Sequence, residues 1–167
     1  MACSFLKLAR KRRSIRRFKN KPIVLTQIKN VLEAGRFAPS GLNNQPWRFL
    51  LLSGSEKNSI ARFTKCSAII KNADKVILVF LDQKISYNEE KDLMAIGACI
   101  QNMLLAATAQ KIGSCWLGEI LNRRAALQKF LKIPAYLRFE AVVALGDPAQ
   151  KLTKGQRKPL NKLFVKK

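Results

Sequence analysis

Residues 76–81, VILVFL, set the strongest limit on what this chain can fold into. Six consecutive apolar positions rich in β-branched residues leave no solvent-facing alternation, so DKVILVFLD (74–82) reads as a buried strand. RFLLLS (48–53) and YLRFEAVVALG (136–146) read as further strands, and SCWLGE (114–119) as a short strand or turn. Helical spacing predicts helices over 4–11 with Ser4 as cap, from a Thr26 cap to about Arg36, over 55–63, from Asn88 to about Lys111 closed by Gly113, and from Asn122 to Leu131. The helix from Asn88 has Leu93, Ile96, Ile100 and Leu104 on one face and further apolar residues elsewhere, which predicts a central position. Residues 13–18 have no helical stripe and read as extended. This order of elements is that of an α+β or α/β layer protein.

A chain of 167 residues can bury a single core, so one domain is expected. No apolar run approaches the ~20 residues that span a bilayer. The start, MACSFLKLARKRR, lacks the apolar stretch of a secretory signal, so the expected setting is cytoplasmic, without a membrane. Cys3, Cys66, Cys99 and Cys115 are scattered and suggest no disulfide framework. There is no histidine, which removes the commonest general base and metal ligand; any catalysis must lean on another group or on a cofactor. Net charge is +22, and the first acidic residue is Glu33. Such a field attracts polyanions, phosphorylated ligands or anionic surfaces.

Three clusters could carry chemistry. In RRSIRR (12–17), extended backbone puts Arg12, Ser14 and Arg16 on one face and Arg13, Ile15 and Arg17 on the other. Guanidiniums flanking a hydroxyl suit a phosphate or an anionic ring edge, and equally a solvated basic face. APSGLNNQPW (38–47) concentrates side-chain amides in one turn, either to read a heterocycle edge or as turn chemistry with Trp47 packed inside. IGSCWLGE (112–119) has small residues that admit a ligand close to the backbone, or that simply turn the chain. Cys115 reads as a small buried hydrophobe, since no histidine can activate it. Neither GxGxxG nor a phosphate-binding GxxxxGK[ST] loop is present, and no carboxylate spacing suggests a metal site.

Taken in order, RRSIR (12–16), APSGLNNQPW (38–47), GACIQNMLLAATAQKIGSCWLG (97–118) and GDP (146–148) followed by QRKPL (156–160) resemble the FMN-dependent nitroreductase family. The resemblance covers nearly the whole chain. It implies an α+β fold with a central, mostly antiparallel sheet flanked by helices, in an intertwined homodimer. Residues 1–167 would form one FMN-binding domain, with about 150–167 as a basic extension contacting the cofactor and the partner subunit. Arg12, Ser14 and Arg16 would hold FMN, with backbone contacts from Arg13. Pro39, Ser40, Gly41 and Asn43 would come from the partner subunit, with Gln45 and Trp47 bracing that loop. Leu117 and Gly118 would lie beside the flavin, with a backbone N–H near N5, and Arg157 would clamp the phosphate. The implied activity is ping-pong hydride transfer from NADH or NADPH to nitro compounds, quinones or related electron-poor acceptors.

The chain departs from the family in being short between its second strand and central helix (about 83–89), in Asp147, and in Gly155, where a second phosphate-binding lysine often sits. Lys154 and Lys158 stand near that position. Two other readings are a basic nucleic-acid-binding module, disfavoured because aromatics do not interleave with the cations, and a flavin-binding relative without turnover.

Overall fold

The apolar run becomes β3 of an antiparallel sheet. The computed structural model describes residues 4–150, 153 and 155–165. In it, β1 (Phe18–Lys19), β2 (Trp47–Ser53), β3 (Lys75–Asp82), β4 (Gly113–Leu117) and β5 (Leu137–Pro148) form one sheet. β3 lies between β2 and β5, and both β4 and β1 pair with β5 near its C-terminal end.

Both faces of β3 are covered, which is why its sequence does not alternate. Ile77, Val79 and Leu81 join one core with Ala141, Val143 and Leu145 of β5, under α2 (Leu25–Arg36) and α5 (Glu89–Ala109). Val76, Leu78 and Phe80 join the other with Phe139, Val142 and Ala144, under α3 (Gly54–Ile60), α4 (Ser67–Asn72) and α6 (Arg124–Phe130). Each such side chain removed from water contributes about 1.5–3 kcal/mol. The register shifts between Val79 and Phe80, where Ala141 and Phe139 are the partners. Glu140 is thus the extra residue of a bulge, and its buried carboxylate pairs with Arg124 and Arg138.

α1 (Ser4–Lys11) and the extended segment after it match the sequence reading. Several boundaries do not. α2 begins at Leu25 behind Val24, without a side-chain cap, so Thr26 is inside the helix. α5 does start behind Asn88, whose Oδ1 accepts from Lys91 N–H at 3.0 Å, but it closes at Gln110 with Lys111 at φ 62. Gly113 is not its cap; it opens β4, where a Cβ would come within 2.9 Å of Ile15. A 3-10 turn, Glu119–Arg123, precedes α6, so Asn122 does not cap that helix either. α4 was not foreseen, because SAIIKN is too short to show a helical period. By length and composition α5 could cross a membrane; here Ile96, Ile100, Met103 and Ala107 are buried in the core beside α2.

Candidate functional site

The arginine run is held extended by β4. Ser14 bridges Ser114, and Ile15 N–H donates to Ser114 O at 2.9 Å. Ile15 is buried over Gly113, whose missing side chain makes the room. This contact sets which guanidiniums go where. Arg13 turns toward the tail: its Nε donates to Thr153 O at 2.8 Å and its Nη1 to Arg10 O at 2.6 Å, and a Cβ on Gly155 would come within 2.9 Å of its guanidinium. Arg12 and Arg16 both lie close enough to the Cys115 thiol to favour its ionised form. Gln150 Oε1 accepts from the backbone N–H of Arg16 at 2.9 Å and of Arg17 at 3.1 Å, tying β5's exit to the run.

The cations here lack counter-charges. None of the ion pairs among the described residues involves Arg12, Arg13, Arg16 or Arg157. Partial burial, then the like charges of Arg157 and Arg13, lower the Arg12 guanidinium below its usual value. Burial pushes the Cys115 thiol up, and Arg16 and Arg12 only partly offset it, so Cys115 stays a protonated, inert thiol. A cavity of about 480 Å³ opens between Ala9, Arg10, Arg13, Gly155 and Arg157. At the end of β4, Leu117 is buried while Gly118 is exposed, with open space where a side chain would stand. Ser114 Oγ is buried with no hydrogen-bond partner among the described residues. Lys154 lies outside the described residues, and Lys158 is exposed.

The loop 39–45 has a different construction. Leu42, Asn43 and Gln45 all take left-handed φ, at 54°, 52° and 47°, a costly choice for three non-glycine residues. Gln45 N–H donates to Ser40 Oγ at 3.0 Å and Gln45 Nε2 to Asn43 O at 3.3 Å. Trp47 is buried in the core, so it anchors the loop and offers no platform to a ligand. Leu42 and Asn43 are exposed at the tip.

The loop and the start of the arginine run are tied to different ends of α5. The loop is bonded to Asp92 at its start, whereas Ile15 and Arg13 line a cavity with Thr108 near its end. At 1.5 Å per residue, Asp92 and Thr108 are about 24 Å apart. Leu117, level with Leu78 of β3 across Val142, lies between these two levels, and β4 carries the segment of Ser14 with it.

Sequence reasoning passed over two contributors. Gln150, at the mouth of the tail, left no pattern to find. Asp92 did leave one: it is an acid one turn ahead of Ile96 and Ile100 on the buried side of an apolar helix, and it is fully buried.

A layered α+β fold with arginines unpaired among the described residues, beside a small-residue strand end, has the features of a site for an anionic cofactor or ligand. The relatives narrow this class. A family model described as the Nitroreductase family matches residues 9–86 and 64–147. A crystal structure from Desulfovibrio desulfuricans, solved in complex with FMN, is 44% identical and superimposes with a TM-score of 0.96 over 100% of this chain and 98% of that one. A protein of Archaeoglobus fulgidus bearing an NADH dehydrogenase/NAD(P)H nitroreductase name is 36% identical over 86% of this chain and 84% of its own length. An iodotyrosine deiodinase of Thermotoga neapolitana is 29% identical over 84% and 87%. The chain belongs to the nitroreductase family of oxidoreductases.

Proposed function

We propose that this protein is an FMN-dependent NAD(P)H oxidoreductase that reduces nitro compounds, quinones or related electron-poor acceptors by a ping-pong cycle, working in the cytoplasm. The single observation that carries the reading is that Arg12 and Arg16, on the segment bridged to β4, and Arg157, close to Arg12, have no carboxylate partners among the described residues. This donor set fits FMN: guanidiniums offer forked donors to phosphate oxygens, and the strand end leaves room for a flat ring. The orphaned, buried Ser114 hydroxyl beside Ser14 adds a polar group awaiting a partner.

FMN, when bound, would supply the two-electron redox chemistry. The residues supply the rest. Arg12 and Arg157, with Ser14, neutralise and orient the phosphate. Arg16 places fixed positive charge at the polar edge of the ring, and Arg13 holds the tail across the site. With Leu117 paired to Val142 in the sheet, the backbone N–H of Gly118 would be the donor toward the ring, and the buried Leu117 side chain would exclude water.

We further propose a homodimer in which the loop 39–45 of one copy reaches the arginine face of the other, the whole chain acting as one domain with 150–167 as its extension. The loop supports this: Leu42 and Asn43 stand exposed at its tip, and it is tied to the opposite end of α5 from Arg13 and Ile15. So do Leu160, Leu163, Phe164 and Val165, which are 61–92% exposed and bury little on their own chain.

The test is direct. The purified protein should be yellow or should take up FMN, its flavin band should bleach anaerobically with NADH or NADPH, and its mass should be that of a dimer. Colourless protein that refuses FMN would overturn the reading. Screening oxidants against the bleached protein identifies the acceptor class.

A further inference from the structure

Asp92 is a buried carboxylate with no cation among its ion pairs in the described residues, on the first turn of α5. Removing a charge from water is costly unless it is well hydrogen-bonded, so its presence calls for an account. Three contacts supply one. Its Oδ1 accepts from Asn44 Nδ2 at 2.8 Å, and its Oδ2 accepts from Ser86 Oγ at 2.6 Å and Tyr87 N–H at 3.2 Å. The second proton of Asn44 Nδ2 goes to Ile85 O at 3.2 Å. Burial alone would raise this carboxyl, but the donated bonds override it and hold it below the usual value, so it is ionised.

Both segments that converge on Asp92 press on the same loop. Asn44 sits inside the left-handed stretch of Leu42, Asn43 and Gln45. Tyr87, whose N–H is on Asp92, lays its ring against Gly41, where any Cβ would overlap its hydroxyl. Three residues in sparsely populated backbone states persist only when surrounding structure over-determines them. An acceptor-only group with two oxygens can take three donors at once, which a neutral amide cannot.

We propose that Asp92 is a positioning residue which, through Asn44, holds the loop 40–45 in the strained shape that presents Ser40, Gly41 and Asn43 to the cofactor site of a second copy of the chain. The proposal rests on the reading that this loop lines FMN. In Asp92→Asn only one acceptor oxygen remains, so either Asn44 or the Ser86 and Tyr87 donors lose their partner.

The experiment measures FMN dissociation constants by fluorescence quenching, the visible circular dichroism of bound FMN, and the melting of the FMN-free protein, for Asp92→Asn, Asn44→Ala and Asn43→Ala. Asp92→Asn and Asn44→Ala should each weaken FMN binding about tenfold at temperatures well below melting, the scale of one lost hydrogen bond to a charged network. Each should also alter the bound flavin's dichroism. Asn43→Ala tests the underlying reading separately. If it weakens FMN binding while the Asp92 and Asn44 variants bind and look like the parent, the positioning role is wrong and the loop assignment stands. If all three bind FMN as the parent does, the loop assignment falls and the proposal with it. Should Asp92→Asn fail to fold, Asn44→Ala decides alone by the same criteria.

Discussion

The two ends of α5 solve opposite problems. Toward the end near Thr108, charge is left over: Arg12, Arg13 and Arg157 lie close together, and neither they nor Arg16 have a carboxylate partner among the described residues. At the end near Asp92, nothing is left over except the buried Asn44 Oδ1: a lone carboxylate is surrounded by donors, and backbone strain is locked in by them. The first region is unfinished in a way that an anion completes. The second is finished, and its product is the shape of an exposed tip. A site assembled from both gains affinity from the first and orientation from the second. Uncompensated charge attracts from a distance, whereas a strained loop selects only what fits it.

The comparison can be broken most forcefully at the arginine end. Arg12→Ala with Arg16→Ala should weaken FMN binding by at least about 100-fold, two charge-assisted contacts at about 1.5–3 kcal/mol each, while melting of the FMN-free protein stays within about 2 °C of the parent. A large loss of stability instead would show that these arginines hold up the fold. The Asp92 end is sharpened by acid. Because its carboxyl is held below the ordinary value near 4, its contribution to stability is complete above that value and is lost as the pH falls through the lower folded one. Glu33 and Glu119 are also held low, by their bonds to Arg36 and to Thr64 and Lys65, but they are common to both proteins. The melting temperature of the parent should therefore drop more steeply below about pH 4 than that of Asp92→Asn; parallel curves would mean that Asp92 is not ionised in the fold. The smallest effect belongs away from both ends. Glu33→Gln, breaking the exposed pair with Arg36 on α2, should move melting by about 1 °C or less and leave FMN binding unchanged.

How legible each part was depended on how local its cause is. β3 announced itself because burial on both faces writes an unbroken apolar run. Ile15, lying between arginines, already implied the alternation that its burial over Gly113 enforces. Trp47 read correctly as an anchor, since an aromatic after a turn and before an apolar strand has little else to do. Thr26 misled because a good capping residue sits one turn position inside a helix that starts without a cap. Gly113 misled because a glycine after a helix has two common uses, and here close packing under Ile15 outweighed termination. Asp92 was visible as an anomaly but without meaning, because its principal donor lies 48 residues away on Asn44.

By itself the sequence determined where charge accumulates, which segments must be buried, and that any catalysis has to lean on a group other than histidine or on a cofactor. These follow from residue type and short-range periodicity alone. Tertiary structure decided that the amide loop and the Arg13 end of the arginine run are tied to opposite ends of one helix, that Arg13 bonds the tail, and that a buried carboxylate is joined to the loop through Asn44. These depend on which distant segments the sheet and α5 bring together, and pairing across tens of residues leaves no period in the chain to read.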